Sequence, residues 1–113
     1  MTIEQFEILA GHRFNYCLNL MVGTKHEEYS RQDDKLYNFK RAGEIQSCTP
    51  EKALIGMYCK HLVSVLDMVK DLDDLKYPRI KLMMEKISDS INYLVLLEGL
   101  LTERITDETM PSS

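Results

Sequence analysis

The feature that most constrains the fold is an uninterrupted helical run that follows Pro78 and reaches Ile105. Glu85, Asp89 and Asn92 lie within about 60° of one another on one side of this helix. A broad apolar face lies on the opposite side, formed by Met83, Met84, Ile87, Ile91, Leu94 and Leu101. Because apolar residues also flank the carboxylates, we expect both sides of the helix to be covered. The sequence therefore predicts homo-oligomerisation.

Three further helices are predicted upstream. Thr2 and Gln5 have the spacing of a capping box, and Thr49 followed by Pro50 is a strong helix start. The predicted upstream helices run from the Thr2 cap to about Val22, from Lys35 to about Gln46, and from Pro50 to about Leu72. Alternating β-branched runs and hairpin turn signals are absent from the sequence. We therefore predict an all-α bundle of about four helices, with one domain over residues 1–105 and a polar tail over residues 106–113.

Composition excludes several classes of protein. The 113 residues carry a net charge of −4, so no basic surface favours nucleic acid. The three cysteines, Cys17, Cys48 and Cys59, have no CxxC spacing and indicate reduced thiols in a cytoplasmic protein. An acidic N-terminus without a long apolar segment predicts no signal peptide, and no apolar run is long enough for a membrane span.

Two acidic groups are candidates for chemistry. Glu85 and Asp89 are four residues apart and reach the same point beside their helix. A second acidic cluster lies in the polar connector and comprises His26, Glu27, Glu28, Asp33 and Asp34. Mg²⁺ or Mn²⁺ prefers oxygen ligands and keeps several waters, so a few carboxylates from two segments suffice. The alternative is that these acids only solvate exposed helix faces.

Basic and aromatic residues could recognise a phosphate or a base. His61 lies at the edge of an apolar helix face, where it is either a hydrogen-bonded boundary residue or a ligand for metal or phosphate. Lys35, Asn38, Lys40 and Arg41 follow the acidic connector, and cations beside a metal site hold phosphates. Tyr37 and Tyr93 could stack on a base. Each of these residues also has an ordinary structural interpretation as a surface, core or rim side chain.

Four segments in order carry a resemblance to a known family: residues 25–29 (KHEEY), 34–42 (DKLYNFKRA), 60–61 (KH) and 85–94 (EKISDSINYL). Together they resemble small phage-encoded nucleotide-modification-associated domain proteins, which are similar to the MazG-like all-α nucleoside-triphosphate pyrophosphatases. The resemblance implies a helical, Mg²⁺-dependent fold that assembles as a homodimer or homotetramer. It also implies nucleotide binding in the cytoplasm, here that of an infected host cell. In that family the metal sits among carboxylates of two helices.

The resemblance assigns roles to individual residues. It implies Glu28 and Asp34 as catalytic residues and Glu28, Glu85 and Asp89 as metal ligands. The nucleotide-binding residues that it implies are Lys35, Asn38, Lys40, His61, Asn92 and Tyr93. The chain departs from the family pattern, since Glu85 and Asp89 are spaced i, i+4 rather than i, i+3, and Glu27 and Glu28 lack an ExxE partner.

Three functions follow as expectations. The first is metal-dependent hydrolysis of a nucleotide phosphate, in which Lys35 and Lys40 neutralise developing charge. The second is a non-catalytic phage protein that sequesters a nucleotide signal of host defence, such as a cyclic nucleotide, and the incomplete acidic motif favours it. The third is a helical protein-interaction module whose acids are solvated.

Overall fold

The computed structural model of the protein describes residues 1–22 and 34–109. These ranges contain four α-helices and no β-strand. The helices are α1 (Ile3–Val22), α2 (Tyr37–Gln46), α3 (Pro50–Asp71) and α4 (Ile80–Thr109), and a short 3-10 turn, Leu72–Asp74, follows α3. The prediction of an all-α fold with about four helices is confirmed. Helix α4 continues past Ile105, so residues 106–109 of the predicted tail are helical.

Local side-chain caps explain two of the helix starts. The backbone N–H of Thr2 donates to Gln5 Oε1 at 2.8 Å, and the N–H of Gln5 donates to Thr2 Oγ1 at 3.0 Å. This reciprocal pair satisfies two amides that have no partner within the helix. At the start of α3, Thr49 Oγ1 accepts from the N–H of Lys52 at 3.2 Å, and Pro50 occupies the first helical turn. Both predicted capping motifs are confirmed.

Helices α3 and α4 form an antiparallel hairpin that is the backbone of the fold. Leu75 closes the turn between them in the left-handed conformation, with φ of 57°. At the far end of the hairpin, Arg104 Nε and one terminal guanidinium nitrogen each donate to a Glu51 carboxylate oxygen at 2.8 Å. This bidentate pair fixes the register of the two helices.

The apolar core lies at the end of the hairpin where α2 packs. Its buried members are Leu36, Phe39, Leu54, Leu96 and Leu100. Gly43 lets α2 approach the start of α3, since a Cβ there would lie 2.8 Å from the carbonyl oxygen of Cys48. The covered core is therefore confined to about half of the hairpin.

Helix α1 packs along the first half of α4. The Arg13 guanidinium donates to Ser88 Oγ at 2.9 Å, and the Cys17 thiol lies 3.8 Å from the Ser88 carbonyl oxygen. Ser88 is fully buried, and its hydroxyl donates to the carbonyl of Met84 at 2.6 Å. Cys17 is the one buried residue of α1. The helix therefore contributes little to the apolar core.

The polar side of α4 faces the other helices, and much of its apolar side faces solvent. The side with Ser88, Asp89 and Asn92 faces the other helices, and Ser88 is 0% exposed. The broad apolar face points outward, and four of its residues remain substantially exposed: Met83, Ile87, Leu94 and Leu101. The predicted polar stripe is therefore sheltered within the chain, whereas most of the predicted apolar face is open.

Candidate functional site

A cleft of about 90 Å³ lies on the sheltered side of α4. Its walls are formed by the C-terminal end of α1, by Lys35, and by the middle of α3 and of α4. Its lining residues are Leu20, Met21, Lys35, His61, Asp89, Asn92, Tyr93 and Leu96. Five of the residues singled out from the sequence, which come from three separate segments, therefore meet at one place.

Helical spacing explains the wall that α4 provides. Asp89, Asn92, Tyr93 and Leu96 follow the spacing i, i+3, i+4, i+7, which places them on one face of a helix. His61 faces them from α3. The α3–α4 hairpin is antiparallel, so the midpoint of each helix is opposite the midpoint of the other.

His61 is the most informative side chain of the cleft. Its Nδ1 is buried and has no hydrogen-bond partner in the described part of the chain. The nearest acid is Asp89, whose Oδ2 lies 3.6 Å away, which is beyond a normal hydrogen bond. The His61 ring packs against Tyr93, with centroids 4.9 Å apart and planes inclined by 39°. This nitrogen is therefore positioned to meet a ligand.

Asn92 presents a second buried polar atom. Its Oδ1 has no hydrogen-bond partner among residues 1–22 and 34–109. Leaving a buried polar atom unpaired costs about 1–3 kcal/mol, and such atoms are few in native proteins. Two of them in one cleft indicate a place where a polar ligand or water completes the hydrogen bonding.

Lys35 supplies the positive charge. Its ammonium donates to the carbonyl oxygen of Met21 at 2.7 Å, which links the start of α2 to the last turn of α1. Burial lowers the pKa of Lys35 below the usual lysine value. Desolvation disfavours the charged form, so a negatively charged ligand would recover part of that penalty.

Asp34 and Lys40 lie outside this cleft. The Asp34 carboxylate accepts the N–H of Leu36 at 3.0 Å and the ammonium of Lys40 at 2.7 Å. Lys40 also contacts Glu103 at 3.0 Å. The hydrogen bond from Lys40 is the main cause of a lowered Asp34 pKa, and the same bond raises the pKa of Lys40. These two residues stabilise the start of α2, where Asp34 supports the first turn.

Three other predicted site residues have different placements. Asn38 is half-buried on the first turn of α2, and Glu85 is half-buried one turn before Asp89; neither lines the cleft. Glu28 lies outside the described residues. Within the described ranges, no three His, Cys, Asp or Glu residues come together as a metal site. Asp89 is the one carboxylate that these ranges contribute to the cleft.

The sequence does not assign the apolar wall of the cleft to a site. Leu96 follows Asn92 and Tyr93 at helical spacing and is one of the apolar residues that flank the predicted polar stripe of α4. Met21 belongs to the apolar spacing of α1, which by itself indicates only packing. Met21 contributes a backbone carbonyl to Lys35, and a backbone group leaves no trace in the residue type.

The fold and the cleft define a small all-α protein with a mixed polar and apolar site between its helices. Comparison with protein-family models, curated proteins and solved structures finds no match to this chain. None of the helices over residues 1–22 and 34–109 is long and apolar enough to cross a membrane.

Proposed function

We propose that the cleft binds the phosphate end of a nucleotide. The observation that carries this proposal is the pair of unpartnered polar atoms, His61 Nδ1 and Asn92 Oδ1, beside the Lys35 ammonium. Lys35 donates a charge-assisted hydrogen bond to a phosphate oxygen, and His61 Nδ1 adds a second hydrogen-bonding group. Asn92 Oδ1 is an acceptor, so it meets the phosphate through a water that donates to both.

Size defines which part of the ligand enters. Among residues 1–22 and 34–109, the charged side chains that line the cleft are Lys35 and Asp89, and His61 and Asn92 add hydrogen-bonding groups. The volume of about 90 Å³ is below the range of roughly 300–1,000 Å³ that is typical of pockets for whole ligands. A phosphate group therefore fits inside, and the sugar and base extend outward. Tyr93, whose ring stacks on His61, stiffens the wall that the phosphate meets.

Binding without turnover is the function that the described residues support best. Asp34 is held by Lys40 and the backbone of Leu36, so it is not poised to activate water in the cleft. We accordingly favour a nucleotide-sequestering protein, such as a phage protein that captures a cyclic nucleotide signal in the host cytoplasm. A relationship to the MazG-like proteins is part of the same proposal.

Hydrolysis is the second candidate. Asp89 lines the cleft, and Glu85 lies one turn before it on the sheltered side of α4. Together they would hold Mg²⁺, whose chemistry is to neutralise phosphate charge and activate water. A plain helical interaction module is the third candidate, and the unpartnered atoms of the cleft disfavour it.

One experiment separates these functions. The protein is incubated with linear and cyclic nucleotides, with and without Mg²⁺, and bound ligand and products are followed by chromatography. Intact nucleotide recovered after denaturation supports sequestration. Products that require Mg²⁺ and disappear in Asp89→Ala support hydrolysis. If neither bound ligand nor product is found, only the interaction module remains.

Variants test whether the cleft is the site. We expect Lys35→Met and His61→Ala each to weaken nucleotide binding by about tenfold or more, since each removes a charged hydrogen bond worth about 1.5–3 kcal/mol. Lys60→Met is the matched control, because Lys60 is an exposed lysine next to His61 on α3. Equal loss of binding in Lys60→Met and Lys35→Met would show that net charge alone, rather than this cleft, attracts the ligand.

A further inference from the structure

The outer side of α4 carries an apolar stripe along most of the helix. Its residues are Ile80, Met83, Ile87, Leu94, Leu101 and Ile105, which are 37–73% exposed. At about 100° per residue they fall within about 60° of one another and span about 38 Å. Ile80, Ile87, Leu94 and Leu101 are spaced by seven residues, which is the repeat of a helix seam that packs against another helix.

Two apolar grooves border the first half of this stripe. One lies between α1 and α4 and has Leu9, Met83 and Ile87 in its lining. The other lies between α3 and α4 and has Val69, Met83 and Ile87 in its lining. Met83 and Ile87 therefore line both grooves. The second half of the stripe, with Leu94, Leu101 and Ile105, is a ridge.

The exposed surface and the radius of gyration both exceed those of a compact monomer of this size. The chain exposes 8,699 Å², about 2,300 Å² more than the roughly 6,400 Å² of a compact monomer of 13.2 kDa. Its radius of gyration is 16.9 Å, against about 13 Å for a compact domain of this length. A stable dimer buries about 800 Å² or more of each partner. The excess surface is therefore sufficient for one such interface.

The charges of α4 favour self-association in the antiparallel direction. Arg79 directly precedes the helix and Glu108 lies near its end, and at about 100° per residue both lie beside the stripe. Antiparallel pairing of two copies brings these opposite charges together and opposes the two helix dipoles. Parallel pairing would bring like charges together at both ends.

From these observations we propose that a second copy of the chain packs on the outer stripe of α4, in an antiparallel two-fold dimer centred on Leu94. In this register Leu94 meets the partner's Leu94, and Ile87 meets the partner's Leu101. The ridge of each copy then enters the grooves of the other, beside Met83 and Ile87. This interface lies on the side of α4 opposite the cleft and does not depend on what the cleft binds.

The first test is the mass in solution. We expect light scattering after size exclusion to give twice the chain mass for the wild type. Leu94→Glu should raise the dimer dissociation constant by about 100-fold or more, because two carboxylates would be buried against each other. Val63→Glu is the matched control, since Val63 on α3 is 53% exposed, close to the 51% of Leu94, and lies off the stripe. A monomeric wild type, or a Leu94→Glu variant that dimerises normally, overturns the proposal.

The second test needs no destabilising substitution. Leu94→Cys is introduced together with Cys48→Ser and Cys59→Ser, which leaves Cys17, a buried thiol. Across a two-fold axis at Leu94, mild oxidation should give a disulfide-linked dimer, since the paired Cα atoms come within disulfide range. Val63→Cys in the same background should stay uncrosslinked. Absence of the Leu94→Cys crosslink in a dimeric sample overturns this register, even if Leu94→Glu fails to fold.

Discussion

In its first half, helix α4 inverts the usual arrangement of a helix in a globular protein. Before the apolar core begins at Leu96, the side that packs within the chain carries a fully buried serine, an aspartate and an asparagine, whereas the side that meets solvent carries isoleucines and leucines. Burial of apolar surface is the main driving force of folding, so an outward apolar stripe indicates a surface that is completed by association. Polar residues on the inner side require their own justification.

That justification differs along the inner side. Ser88 is satisfied, since its hydroxyl donates to Met84 and accepts from Arg13. One turn further on, Asn92 and its neighbour His61 each leave a buried atom unpaired. Hydrogen bonding thus accounts for the first polar residue as part of the fold. For the second group, a bound ligand offers the simplest account, because unpaired buried atoms destabilise the protein without any structural return.

The largest expected effect compares the two sides directly. Leu96→Ala removes a side chain that is 7% exposed on the inner side, and we expect the free energy of unfolding to fall by about 2–5 kcal/mol. Leu101→Ala removes the same atoms from the outer stripe, where the leucine is 42% exposed. Urea denaturation at several protein concentrations measures both.

The dependence on concentration is what sharpens this comparison. The loss in Leu96→Ala should be the same at all concentrations. The loss in Leu101→Ala should appear mainly as a smaller rise of the midpoint with protein concentration, since dimerisation stabilises by mass action. If Leu101→Ala shows a large loss that is independent of concentration, the outer leucines are part of the core of a single chain.

The next prediction compares a glycine that packs against neighbouring backbone with a glycine that faces open space. Gly43→Ala places a Cβ against the carbonyl oxygen of Cys48, a backbone atom that cannot move aside cheaply, so we expect about 1–3 kcal/mol of destabilisation. Gly56→Ala, within α3, meets nothing within 4 Å and should stabilise the helix by up to about 1 kcal/mol. Thermal unfolding of the two variants should therefore shift in opposite directions. A shift in the same direction would show that α2 does not pack this closely on α3.

A smaller effect concerns the satisfied polar residue. Ser88→Ala keeps the volume nearly constant but removes the acceptor of Arg13, so we expect a loss of about 1 kcal/mol. Ser90→Ala is the control, because Ser90 is half-buried on the same helix and its hydroxyl bonds to the carbonyl of Lys86 in the same way. Equal losses in the two variants would mean that the contact between α1 and α4 through Arg13 adds nothing.

The sequence predicted those parts of the molecule that depend on neighbouring residues. The starts of α1 and α3 could be predicted because the capping hydrogen bonds at Thr2 and Thr49 join groups only three residues apart in sequence. The wall of the cleft that α4 provides could be predicted because Asp89, Asn92 and Tyr93 share one face of the helix. Sequence patterns alone could not show that the apolar face of α4 is left open by the rest of its own chain. A leucine stripe is the same whether its cover comes from its own chain or from a second copy.

Long-range electrostatics was also beyond the reach of the sequence. The sequence predicts Lys40 as a nucleotide-binding residue. In the structure its ammonium forms salt bridges with Asp34 and with Glu103, which lies near the end of α4. A salt bridge between residues so far apart in sequence requires the hairpin and α2 to be in place. The separation of Lys35, in the cleft, from Lys40, in the ionic cluster, arises in the same way.

The smallest expected effect tests that separation through pH. Asp34 has a lowered pKa in the folded state. Its contribution to stability is therefore fully present above the ordinary aspartate pKa of 3.8 and is lost as pH falls through the lower pKa of the folded state. Asp34→Asn removes this contribution, so the unfolding free energy of the variant should depend less steeply on pH in the acid range. At neutral pH we expect a loss of about 1 kcal/mol or less, because Asp34 is 31% exposed and the pair is screened by solvent.

The control for this prediction is an ion pair in open solvent on the same helix. Glu44, which pairs with Arg41 at 2.8 Å, is 67% exposed, and Glu44→Gln should lower the unfolding free energy at neutral pH by less than Asp34→Asn does. Nucleotide binding should also be unchanged in Asp34→Asn, because its partner Lys40 lies outside the cleft. A loss of binding in Asp34→Asn as large as that in Lys35→Met would join the ionic cluster to the site, and Asp34 would then belong to the ligand-binding machinery rather than to the first turn of α2.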